Sequence, residues 1–211
     1  MSANCTKDLA ITIGDESLVA YWKFDEAAGV QRADSTINGN DLSTLIGAIS
    51  AVAGKISNAV RLSSVGAPAI GTLAWIPVWN GQSITIAGWI RQDPGPLLFN
   101  STKYYFSGAV GLEWSLGLEA INNDEYQGVF VDEFGAIVTV DSGVIIAAGS
   151  FDFVVLQLDI TNLTVGISVN NSAIVTAAIP AAPSVPASNG FNSRNQDASG
   201  NRDLDEMGIW Y

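Results

Sequence analysis

Apolar and polar positions alternate with a period of two along most of the chain, most densely between Leu18 and Phe24. There Leu18, Ala20, Trp22 and Phe24 share one register, and Val19, Tyr21 and Lys23 the other, which predicts a strand buried on one face and partly covered on the other. An acidic turn comes next with Asp25, Glu26, Gly29, Asp34, Asn38, Gly39, Asn40 and Asp41, residue types that accept turn geometry and carry oxygen ligands. Further strands are predicted at 82–92, 104–107, 112–119, 126–132, 136–140, 151–160, 163–169, 173–179 and 204–211. In 82–92 the residues Ile84, Ile86 and Ile90 fall on one face and Trp89 on the other. Trp22, Trp89, Trp114 and Trp210 all sit inside strand patterns and are expected to pack in the core. Residues 1–17 read as an arm with a short strand at 9–13, and Pro180, Pro183 and Pro186 open a polar loop running to about Arg202. Sustained helical periodicity is absent, so the pattern predicts an all-β, two-sheet antiparallel sandwich.

Composition narrows the chemistry. With 9 Lys and Arg against 21 Asp and Glu, the formal charge of -12 excludes nucleic acid as a partner and disfavours anionic membrane surfaces. The chain is 48% hydrophobic and only 14% charged, a folding composition. At 211 residues it has length enough for one substantial core. Cys5 is the sole cysteine and histidine is absent, which removes intrachain disulfides, thiolate metal clusters, Ser-His-Asp and Cys-His catalysis, and histidine-ligated zinc. No basic and then apolar leader opens the chain, and no apolar run approaches the roughly 20 residues that span a bilayer, so no membrane insertion is expected.

The segments LVAYWKFDEAAG, ADSTINGND, AGKISNAVRL, SITIAGWIR and DLDEMGIWY, in that order, resemble the laminin-G-like jelly rolls of the concanavalin A-like lectin/glucanase superfamily. The resemblance covers residues 18–211 and implies a jelly-roll sandwich whose first and last strands are neighbours. It places Phe151 where relatives begin a strand with tryptophan, and Val169-Asn170-Asn171 where they carry a glycine-containing hairpin. Asparagine tolerates positive φ, so this hairpin is expected to form.

Three chemistries compete. Asp25, Asp34, Asp41 and Asp205, with carbonyl oxygens of Asn38-Gly39-Asn40, form a candidate structural calcium site, because calcium takes oxygen ligands only. The adjacency of the end strands on which Asp205 would approach the first loop is implied by the resemblance. The opposing reading has these carboxylates accepting backbone N–H groups in turns. Glycan hydrolysis requires a pair of carboxylates across the bond. Asp203, Asp205 and Glu206, or Asp132 and Glu133, are the groups to weigh, but the Glu-x-Asp-x-x-Glu strand motif of the related hydrolases is missing, so no catalytic residue is assigned. Trp75, Trp79, Tyr104 and Tyr105 lie in loop-like segments and are candidate contacts for a glycan or a protein partner.

The resemblance implies an extracellular adhesive or sugar-binding module, here expected to be non-catalytic. Without a visible leader, the expectation is a bacteriophage virion protein: a head decoration, fibre or tail adhesin. Its arm would dock on other virion or surface proteins or on a second copy, and its loops would meet cell-surface glycans. The alternatives are a free lectin-like carbohydrate-binding module and, third, a glycan-cleaving enzyme.

Overall fold

A computed structural model describes residues 17–27, 31–47, 49–63, 68–72, 79–92, 100–107, 113–121, 125–186, 188–195 and 201–211. The predicted arm, apart from Ser17, and the strand predicted at 9–13 lie outside the described residues. In chain order the first strands are β1 (Leu18–Trp22), β2 (Gln31–Arg32), β3 (Leu42–Ile46), β4 (Ile49–Ala53), β5 (Asn58–Leu62), β6 (Ala69–Thr72), β7 (Ile84–Gln92) and β8 (Asn100–Ser107). They are followed by β9 (Glu113–Ile121), β10 (Glu125–Val131), β11 (Ile137–Ile145), β12 (Phe151–Asp159), β13 (Thr164–Val169), β14 (Val175–Ala178), β15 (Ser188–Asn195) and β16 (Arg202–Trp210).

These strands form two antiparallel sheets packed face to face, the all-β sandwich expected from the alternation. The first runs β14-β13-β12-β7-β16-β5-β4, with β1 also on β16; the second runs β11-β10-β9-β8-β15-β6-β3-β2. Ile84, Ile86 and Ile90 of β7 and Val154, Leu156 and Leu158 of β12 point inward. Trp22 of β1 reaches across to stack on Phe191 of β15 at 5.1 Å, and its indole N–H donates to the Asn40 carbonyl at 2.8 Å. A ring pair of this size buries roughly 150–250 Å² per side chain, so it anchors the two sheets to each other.

The last strand organises the first sheet. Its first half, Arg202 to Leu204, pairs with β5, and its second half, Met207 to Trp210, pairs with β1. The switch falls at a bulge where Glu206 takes a φ of 49° and the register with β7 shifts between Asp205 and Gly208. The first and last strands are therefore neighbours, as the resemblance implied. β1 ends two residues before Phe24, which is fully buried at a φ of 62°, and all five residues of β1 are buried, so its second face is covered fully and not in part.

Asn170 and Asn171 take φ values of 52° and 64°, so the glycine-free hairpin forms with the positive φ that asparagine tolerates. The predicted polar loop before Arg202 contains β15, which pairs with β6 and β8. Its Ser- and Asn-rich sequence is held as a strand by its neighbours and by the burial of Phe191.

Candidate functional site

The outer face of the first sheet carries two rungs of side chains that cross its central strands. In the first, Arg61 of β5, Asp203 of β16, Arg91 of β7 and Phe151 of β12 are consecutive cross-strand partners. Arg61 donates from Nε and Nη2 to the two oxygens of Asp203 at 2.7 and 2.9 Å, a bidentate pair. Arg91 donates from Nε to Asp203 Oδ2 at 2.7 Å and from Nη2 to the Ala53 carbonyl at 3.3 Å. Its guanidinium lies 4.5 Å from the centre of the Phe151 ring. The two arginines shield the carboxylate, which is 1% exposed, while their own side chains remain 26% and 19% exposed.

The second rung is Asp205, Trp89 and Phe153. Trp89 and Phe153 sit 5.1 Å apart at 55°, and the Lys55 ammonium lies 4.7 Å from the Trp89 ring centre. Beyond this rung the floor is small, Gly208 beside Ala87 beside Val155. The Trp210 ring covers Gly208 so closely that a Cβ there would stand 2.5 Å from it. Trp89 and Trp210, expected in the core, are instead half-buried on this outer face. The face thus presents flat aromatic rings beside fixed guanidinium groups, a combination suited to stacking on a sugar ring while hydrogen-bonding its substituents.

Asp205 has a different environment. Its side chain is fully buried, and Oδ2 accepts the Lys55 and Ile56 N–H groups at 2.7 and 2.8 Å, while Oδ1 has no hydrogen-bond partner. Burial pushes its carboxyl up to about 6, the nearby charge of Asp25 adds to the rise, and the backbone donors oppose it. Burial also raises Glu206. Asp25 caps the same turn, accepting the Asn58 N–H at 3.2 Å through Oδ1 and the Asn58 amide at 2.9 Å through its carbonyl.

Asp34 and Asp41 belong to the loop before β3. Asp34 Oδ1 accepts the Tyr21 and Thr36 N–H groups, and Oδ2 accepts the Thr36 hydroxyl and the Asn40 N–H, all between 2.7 and 3.0 Å. Asp41 accepts the Asp34 N–H and the Gln31 amide at 2.8 and 2.7 Å. The four carboxylates proposed as one calcium set therefore hold two different turns, and their contacts fit backbone capping. Among the described residues no group of three or more His, Cys, Asp or Glu side chains is placed to hold a metal ion.

Of the aromatic candidates, Trp79 is fully buried and its indole N–H donates to the Gln82 carbonyl at 2.6 Å, so it offers no face to a sugar. Trp75 lies outside the described residues. Tyr104 and Tyr105 occupy β8, in register with Leu116 and Phe191 and with Ser115 and Gly190 respectively; their side chains lie outside the described residues. The outer-face residues were legible only as strand positions, because their juxtaposition depends on pairings 112 and 142 residues apart.

No family model matches this chain, and no curated protein matches it in sequence. Solved structures match its fold. The binding domain of Paraclostridial Mosquitocidal Protein 1 aligns at a TM-score of 0.69 and 14% identity, over 92% of this chain and 48% of that one. The binding domain of botulinum neurotoxin DC in complex with SialylT aligns at 0.68 and 15% identity, with the same coverage. The same domain in complex with rat synaptotagmin II aligns at 0.68 and 14% identity. The chain spans about half the length of these neighbours. What they share with it, at this identity, is the two-sheet β-sandwich.

Proposed function

We propose that this chain is a non-catalytic recognition module that binds a glycan on the outer face of its first sheet. The observation that carries this reading is the half-buried aromatic surface of Trp89, Phe153 and Trp210 beside the Arg61-Asp203-Arg91 rung. Similarly folded binding domains are described in complex with SialylT and with rat synaptotagmin II, which agrees with a recognition role. Within this architecture we read the chain as a laminin-G-like jelly roll, supported by the pairing of β1 with β16. Against hydrolysis counts the placement of the carboxylates. Asp203 is occupied by two guanidiniums, and Asp132 accepts the Phe134 and Ala136 N–H groups at 2.9 and 2.7 Å.

A glycan array probed with the wild-type chain and with Trp89→Ala tests the reading. The wild type should retain a defined saccharide set, and the variant should bind it at least about 10-fold more weakly while its far-ultraviolet circular dichroism at the assay temperature stays that of the folded wild type. Equal binding by the variant, or no saccharide held by the wild type, would overturn it. As the setting we propose display on a virion surface. Particles purified from lysed host cells should carry the chain, and its recovery only in the soluble fraction would remove that setting.

A further inference from the structure

We infer that the outer face selects acidic sugars, carboxylated pyranoses of the uronate or sialate kind, and that Lys55 is the residue that makes the selection. This rests on the glycan reading above and adds the class of ligand. In a chain with 9 basic and 21 acidic residues, three of the basic side chains meet on this one face. Arg61 and Arg91 share the carboxylate of Asp203, so the rung brings two cations to one anion. Lys55 is exposed, and its ammonium rests on the Trp89 ring. Asp205, beside Trp89 on the same face, is fully buried and receives the backbone N–H of Lys55, which leaves the ammonium outside. Asp25, exposed, is turned to Asn58.

Lys55 therefore covers the ring that a sugar would stack on. A neutral sugar has to displace the ammonium from the indole and gives nothing back for the lost cation–π contact. An acidic sugar replaces that contact with an ion pair. Its carboxylate draws Lys55 aside, and its ring takes the freed indole. Arg91 stands on the next outward position of β7, about 7 Å along the strand, roughly the span of one pyranose with its carboxyl group. Its Nε and Nη2 are fixed by Asp203 and the Ala53 carbonyl, which leaves Nη1 as the donor that these bonds do not use. The guanidinium is thus held in place before any ligand arrives, and Lys55 is the part that moves.

Calorimetric titration tests this with matched probes: oligogalacturonate against its carboxyl-reduced oligomer, and sialyllactose against lactose. At low salt the wild type should bind at least one acidic probe about 10-fold or more tightly than its neutral counterpart, and added salt should shrink the ratio. Lys55→Gln, at an exposed position, should keep the melting temperature and reduce the ratio to about 3-fold or less, by weakening the acidic probe and sparing or strengthening the neutral one. Equal binding of acidic and neutral probes by the wild type would overturn the selection while leaving the glycan reading intact. An acidic preference that Lys55→Gln does not change would overturn the role of Lys55. Absence of binding to any saccharide would overturn the inference together with the reading beneath it.

Discussion

The acidic loop before β3 and the outer face of the first sheet both concentrate carboxylates, and they use them in opposite directions. In the loop, the oxygens of Asp34 and Asp41 accept donors from the same stretch of chain and from Tyr21 of β1. The loop is closed on itself and ties β1 to the start of β3. On the outer face, Asp203 accepts arginines from two other strands, so its charge fixes cationic groups that still reach solvent. A run of Asp and Asn in sequence therefore points to a folding device here, whereas a binding surface arises where a single Asp orders partners from distant strands.

Three substitutions probe this contrast. The greatest loss is expected for Asp34→Ala, which strands four donors at once; stability should fall by about 3–5 kcal/mol, read from urea unfolding. Glycan affinity of the fraction that remains folded should be unchanged, and a loss under about 1 kcal/mol would show that the loop does not hold β1.

Asp203→Ala comes next. It leaves two guanidiniums without their shared partner and should cost about 2–4 kcal/mol, together with glycan binding, because Arg91 is no longer held. Normal binding by this variant would separate the rung from recognition.

A change that depends on pH concerns Asp205. Its carboxyl is raised from 3.8 to about 6 in the folded chain, so over that interval the folded state holds a proton that the unfolded state has released. Stability is thus highest with the carboxyl protonated and falls as pH rises through the interval, by up to about 1.4 kcal/mol per unit. Asp205→Asn keeps an oxygen for the Lys55 and Ile56 N–H groups and does not titrate. Its melting temperature should match the wild type at the acidic end and exceed it at neutral pH; parallel curves for the two proteins would count against this account.

Most of the fold could be read from alternation because large apolar residues mark the inward positions of β7, β12 and β13. What alternation could not supply was the destination of Trp89 and Trp210. The face of β7 opposite the isoleucines carries Thr85, Ala87, Trp89 and Arg91, so period two sets Trp89 apart from the isoleucines, but its size alone argued for the core. β15 was hidden for the converse reason. Phe191 is its one large apolar residue, and pairing with β6 and β8 holds as a strand a sequence whose composition favours a loop. The acidic loop was visible as a set of oxygen-bearing residues, but whether those oxygens meet a metal or backbone N–H groups is decided by turn geometry.

The pairing of β1 with the second half of β16 also governs how the molecule is made. Leu18–Trp22 is buried throughout, yet its strand partner is synthesised after nearly all the rest of the sandwich. A ribosome must release Met207–Trp210 before that apolar strand can be completed, so the closing step spans almost the full sequence and forms a contact of very high order. Until then the segment waits without its partner. A nascent chain stalled short of Leu204 leaves the edge of β1 without the strand it pairs with, an open edge of the kind that recruits other chains.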